Sequence, residues 1–105
     1  MIERGAADPG AVVTPADRER WLAHVDGTFA GRPCDCGTCP TIELTDARGR
    51  TPGMQRSRVV LSGATRELMV LLFVDDDRLS TLEGAPVEPE GVAREFPPAA
   101  ELGFA

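Results

Sequence analysis

The spacing of apolar residues near the start of the chain predicts one amphipathic helix over residues 15–26. Thr14 can serve as the N-cap, and Pro15 at the first helical position has no N–H to leave unpaired. Gly27 is expected to end the helix. Four apolar side chains fall within about a 100° arc at 3.6 residues per turn and form the predicted buried stripe: Trp21, Leu22, Val25 and Phe29.

Beyond the helix the apolar spacing changes to alternation or short continuous runs, which predicts strands at residues 41–45, 58–62, 67–74 and 78–83. The third of these is apolar on both faces, so we expect it to lie centrally with cover on each side. The three aspartates at 75–77 favour a tight turn. The predicted fold class is α+β, with one N-terminal helix packed on an antiparallel sheet of about four strands.

The two ends of the chain have a different composition from its centre. Residues 1–13 mix Gly, Ala, Asp and Pro without periodicity, which predicts a flexible arm ahead of a single domain at 14–105. From residue 84 onward the tail is rich in proline, which breaks regular elements. Its apolar residues favour docking on the chain's own sheet, with docking on a partner as the alternative.

Composition and charge exclude several classes of function. Arginine supplies all eleven fixed positive charges against seventeen acids, and the formal net charge is −6. Without a clustered basic face we expect no nucleic-acid binding, whereas a basic protein partner would suit the acidic surface. The longest apolar run is too short to span a bilayer, and the first residues resemble no secretory signal, so we expect no membrane association and a cytoplasmic location. The strong arginine bias is typical of a GC-rich bacterial genome.

The concentrated chemistry of the chain lies in three cysteines, Cys34, Cys36 and Cys39, which fall within six residues of the loop predicted to join helix to sheet. Thiolates that converge on one centre bind Zn²⁺, and a two-residue gap such as that between Cys36 and Cys39 lets one turn supply two ligands. A closed site needs a fourth ligand. His24, the only histidine, is the candidate, with Asp35 or water as weaker substitutes, so we predict a Cys₃His zinc site.

Two other interpretations of the cysteine loop stay open. Cys36 and Cys39 could form an exchangeable disulfide or carry a metal, as in thiol redox proteins, although Pro40 disfavours the helix that usually follows such a pair. The loop could also be purely structural. The sequence offers no other catalytic group, so we expect a non-enzymatic accessory or interaction protein. An acidic inhibitor or immunity-type protein that covers a basic target is a further alternative.

The sequence constrains the partner and the family of the protein less closely than it constrains the fold and the cysteine loop. We expect a protein partner or a homodimer, in which an edge strand such as residues 41–45 could pair with the second chain. Residues 72–83, LFVDDDRLSTLE, followed by Phe96-Pro97, resemble the C-terminal half of small uncharacterised bacterial proteins with an LFVDDGRLSxLE…FP pattern. The chain differs at Asp77, where a turn glycine would be usual. The resemblance implies a hairpin at this position and assigns no catalytic residue.

Overall fold

The computed structural model describes residues 1–104, which form one antiparallel sheet with a short helix against it. Along the chain, the helix α1 (Pro15–Ala23) falls between the first and second strands. Single 3₁₀ turns are present at Val25–Gly27 and Ala99–Glu101. The sheet has six strands in the order β1-β4-β5-β6-β3-β2. Their bounds are β1 (Ala6–Ala7), β2 (Phe29–Pro33), β3 (Ile42–Thr45), β4 (Arg58–Ala64), β5 (Leu68–Asp75) and β6 (Arg78–Pro86).

The α+β class is right, but the prediction of about four strands is wrong because the sheet has six. The four predicted strands are present as β3 to β6. The two additional strands come from segments without a clear alternating pattern. β1 is two residues of the predicted arm, and it pairs with β4 while Ile2 is buried beside it in the core. Ala105, the last residue of the predicted domain, lies outside the described residues.

The predicted amphipathic helix over residues 15–26 is also wrong. It starts as expected, because Thr14 and Asp17 form a reciprocal capping box. It ends at Ala23, and a 3₁₀ turn then leads into β2. Val25 and Phe29 therefore lie outside the helix. The predicted buried stripe does not form, since Leu22, Val25 and Phe29 are 44%, 44% and 51% exposed.

Trp21 is the residue of α1 that is buried against the sheet. Its side chain is 3% exposed and packs in a cluster of buried residues from β4, β5 and β6. The remaining members of the cluster are Ile2, Leu61, Leu72, Val74 and Leu79. The predicted third strand, β5, is central as expected, but cover on both of its faces is not observed, since Met69 on the other face is 45% exposed.

The tail covers the end of the sheet that α1 does not reach. Gly63, Val70 and Gly84 lie side by side on neighbouring strands. A Cβ on Gly63 would lie 2.6 Å from the Phe104 ring, and one on Gly84 would lie 3.1 Å from the Phe96 ring. The glycines therefore make room for aromatic rings that lie over the sheet. The tail docks on its own sheet, as its composition favours.

The turn between β5 and β6 is held by its aspartates. Asp76 and Asp77 have positive φ angles of 47° and 66°, the left-handed region that a two-residue hairpin turn requires. The Asp76 carboxylate accepts three backbone N–H groups, from residues 55–57. Asp77 accepts hydrogen bonds from the side chains of Arg20 and Trp21, so the turn fixes the helix to the sheet.

Asp75 anchors the start of the same turn from inside the protein. It is 1% exposed and accepts hydrogen bonds from Arg58 at 2.7 and 3.0 Å and from Ser80 at 2.7 Å. The Arg58 hydrogen bond lowers the pKa of Asp75. Burial opposes this effect by raising the pKa, and the hydrogen bond from the Ser80 hydroxyl lowers it further. The three aspartates of the turn are therefore structural groups, each with hydrogen-bond partners within the protein.

Candidate metal centre

The three cysteines lie at the tip of a hairpin between β2 and β3, and not on a connection from helix to sheet as predicted. The Cys34 N–H donates to the Thr41 carbonyl at 2.9 Å and closes the base of the loop. Gly37 at the centre has a φ of +73°, which only glycine adopts without strain. The chain therefore reverses within a few residues and turns all three cysteine side chains toward one another.

The ligand atoms of Cys34, Cys36 and Cys39 all lie within 4.8 Å of one another. The sulfurs of Cys36 and Cys39 are 3.0 Å apart. Cys34 and Cys36 are exposed and Cys39 is half-buried, and all three are free thiols. The convergence that the spacing predicts is present, at a position open to solvent.

Hydrogen bonds within the loop favour the thiolate of Cys36. The hydroxyl and backbone N–H of Thr38 each lie 3.4 Å from the Cys36 sulfur. The Thr38 hydroxyl, followed by the Cys39 thiol, lowers the pKa of Cys36 to about 6. For Cys34 the backbone N–H of Cys36 favours the thiolate, but the neighbouring thiols outweigh it and raise the pKa of Cys34. A single negative charge on the cluster is thus concentrated at Cys36.

The rest of the fold holds the loop in place from two sides. The Ala93 N–H donates to the Thr38 carbonyl at 2.9 Å, which joins the loop to the tail. The Pro40 ring packs against Gly84 of β6, where an added Cβ would lie 2.6 Å from the ring. The Thr41 hydroxyl accepts the Gly84 N–H at 3.1 Å. The loop is therefore built on the sheet and the tail together.

His24, the predicted fourth ligand, is not among the side chains that converge on the cysteines. It caps the C-terminus of α1 and lines a cavity with Thr45, Asp46 and Arg78. The cysteine loop is at the other end of β3, since Thr41 precedes that strand and Thr45 ends it. Four residues of extended chain span about 13 Å, too far for an imidazole to bridge. Asp35 is exposed and also lies outside the converging group.

Three residues that support the site were missed in the sequence. Thr38, as the second residue after Cys36, could have been identified from spacing, because a turn places its N–H near the preceding sulfur. Ala93 and Gly84 gave no local signal, since they contact the loop only through the folded sheet and tail.

Comparison of the chain with protein-family models, with curated proteins and with solved structures finds no match. Among the described residues, no helix is long and apolar enough to cross a bilayer. The cysteine loop is therefore the feature of the protein that bears most directly on its function.

Proposed function

We propose that the protein is a non-enzymatic accessory protein that binds Zn²⁺ through the thiolates of Cys34, Cys36 and Cys39. The observation that supports this most directly is the convergence of three sulfurs within 4.8 Å of one another. The proposed ligand set omits His24, which lies at the other end of β3 from the cysteine loop.

The sulfur spacing is compatible with a tetrahedral ion. Zinc–sulfur bonds of about 2.3 Å place sulfur ligands roughly 3.8 Å apart. The Cys36 and Cys39 sulfurs, at 3.0 Å, would separate by less than about 1 Å, which small side-chain rotations supply. Because the loop is already closed by its hydrogen bonds to Thr41 and Ala93, little backbone ordering would accompany binding.

A zinc ion held this way would have an open fourth position. Closed structural sites use four protein ligands, whereas three ligands leave room for water or for a group from another molecule. The exposure of Cys34 and Cys36 makes that position accessible. The site therefore suits an ion that is exchanged, or one whose coordination a partner completes.

Native mass spectrometry of protein purified without chelator tests this proposal. We expect one zinc per chain, lost on addition of EDTA and lost in the Cys36→Ser variant. The matched control is His24→Ala, which should keep its zinc. Free Zn²⁺ at a hundredfold excess over the dissociation constant should stabilise the fold by about 3 kcal/mol. A metal-free protein whose melting ignores added zinc would contradict the proposal.

A second candidate function is thiol redox exchange at Cys36 and Cys39. The specific observation in its favour is the 3.0 Å separation of their sulfurs, from which a disulfide forms by a short approach. The Cys36 thiolate would attack an incoming disulfide and expel one thiolate, and Cys39 would give its proton to that thiolate and displace the remaining sulfur. The two cysteines thereby lose two electrons, and the incoming disulfide leaves as one thiol and one thiolate. Incubation with defined ratios of reduced and oxidised glutathione, read by mass, should then give a reversible intramolecular disulfide. Absence of that species at every ratio would exclude this function.

A further inference from the structure

The number of ligands at the cysteine loop constrains the identity of the metal. Among residues 1–104, the only group of three or more His, Cys, Asp and Glu side chains that converges within reach of one ion is the three cysteines. Zinc fills its shell with four ligands. A monovalent, soft ion such as Cu(I) prefers thiolates and is coordinatively complete with three of them. The absence of a fourth protein ligand lowers the affinity of a structural zinc site but does not lower the affinity of a three-coordinate Cu(I) site.

The loop has the dimensions that a trigonal ion needs. Three sulfurs around a planar three-coordinate ion, each at about 2.3 Å, lie roughly 4.0 Å apart. All three sulfur pairs already lie within 4.8 Å, and the closest pair is at 3.0 Å. The ion can therefore enter the centre of the triangle after side-chain rotation, without rearrangement of the hairpin.

The surroundings of the sulfurs also suit a site of high negative charge. Three thiolates around a monovalent ion carry a net charge of −2. Two donors from Thr38 point at the Cys36 sulfur. Solvent reaches Cys34 and Cys36 directly. These hydrogen bonds and the surrounding water thus stabilise the excess charge.

We propose that Cu(I) binds to this loop as a mononuclear, three-coordinate thiolate complex, and that it displaces zinc from the same site. The inference rests on the proposed metal-binding function and specifies the class of ion. Binding changes no oxidation state: each cysteine that is still protonated releases its proton to solvent as its sulfur forms a bond to copper.

The test is an anaerobic titration of zinc-loaded protein with Cu(I) delivered from a chromophoric chelator. We expect one zinc released per copper bound and X-ray absorption that reports three sulfur neighbours. Cys39→Ser should lower the copper affinity at least tenfold and leave two sulfur neighbours, while His24→Ala should match the wild type. Zinc retained in the presence of excess Cu(I), or copper with two sulfurs in the wild type, would overturn the inference.

The two proposals fail separately in this design. Protein that binds zinc but does not exchange it for copper contradicts the copper inference alone. Protein that takes up no zinc contradicts the proposed zinc binding, and the same titration on the metal-free chain still decides whether a three-sulfur copper complex forms.

Discussion

Two hairpin turns lie at opposite ends of strand β6, and they use their polar side chains in opposite ways. The turn at residues 75–77 precedes β6, and its carboxylates bind partners from the helix, from β4 and from the loop before it. The cysteine loop contacts the far end of β6 at Gly84, and among residues 1–104 its sulfurs form hydrogen bonds only within the loop. Side chains whose hydrogen-bonding groups are paired across the protein stabilise the fold, whereas side chains without such partners are available to an external ligand.

The difference shows why residue type alone misleads. Three adjacent acids resemble a cation site as much as three clustered cysteines do. Yet the acids have lowered pKa values because arginine, tryptophan and backbone N–H groups already stabilise their charge. Among residues 1–104, the hydrogen bonds to the thiols all come from within the loop. The contrast predicts that substitutions at the acidic turn change stability and that substitutions at the cysteine loop change binding.

The largest expected effect is at Asp75. Replacement by Ala removes the buried acceptor of Arg58 and Ser80 and should lower the free energy of unfolding by about 2 to 3 kcal/mol. Cys36→Ser in the metal-free protein should change it by less than about 0.5 kcal/mol. Urea unfolding of both variants beside the wild type measures the difference. Equal losses in the two variants would contradict the contrast.

The contribution of Asp75 to stability should also depend on pH. The folded pKa of Asp75 is lowered, so its ionisation stabilises the fold above the ordinary carboxyl range, and that contribution is lost as pH falls through the folded pKa. The stability gap between wild type and Asp75→Asn, which keeps the shape but not the charge, should therefore shrink in acid. A gap that stays constant down to the lowest pH at which the fold survives would mean that the charge is not the cause.

The next largest effect is expected at Gly84, which connects the sheet to the cysteine loop. An added Cβ would lie 2.6 Å from the Pro40 ring, so Gly84→Ala should cost about 2 kcal/mol and shift the loop. Gly53→Ala is the matched control, because its Cβ would meet nothing within 4 Å. Thermal melting measures the cost, and zinc affinity measures the shift. If Gly84→Ala kept full zinc affinity, the sheet would not position the loop.

Substitution of Asp77 should change the free energy of unfolding less, because it has two opposing effects. Asp77→Gly relieves the positive φ of 66° but removes the acceptor that Arg20 and Trp21 share. The Trp21 N–H then loses its partner, so we expect a net loss of about 1 kcal/mol. Tryptophan fluorescence during urea unfolding reports both stability and the environment of Trp21. A stabilised variant with unchanged fluorescence would show that backbone strain outweighs the hydrogen bonds.

The sequence predicted those parts of the molecule that depend on neighbours along the chain. The helix start at Thr14, the strands β3 to β6, the turn at 75–77 and the grouping of three cysteines all follow from local spacing. The failures are long-range. β1 and β2 are strands because β4 and β3 lie beside them, and the helix ends early because the chain turns to reach β2.

The separation of His24 from the cysteine loop has the same long-range cause. Its distance along the chain from Cys34 is only ten residues, which favours proximity. The sheet order places β2 and β3 at one edge and directs their hairpin away from the end where α1 terminates. Which end of a sheet a loop occupies depends on strand pairing, and local spacing carries no information about it.

The smallest effect on stability, and the sharpest test of the loop, concerns the reactivity of Cys36. In metal-free, reduced protein its alkylation rate should be half-maximal near pH 6, because only the thiolate reacts. Cys34, with a raised pKa, should react slowly until the pH is well above neutral. Thr38→Val removes the hydroxyl that contributes most and should move the Cys36 midpoint upward, while the melting temperature stays unchanged. Peptide mapping after brief iodoacetamide pulses resolves the two thiols. A Cys36 midpoint near the ordinary thiol value of about 8.5 would show that the loop does not stabilise its own thiolate.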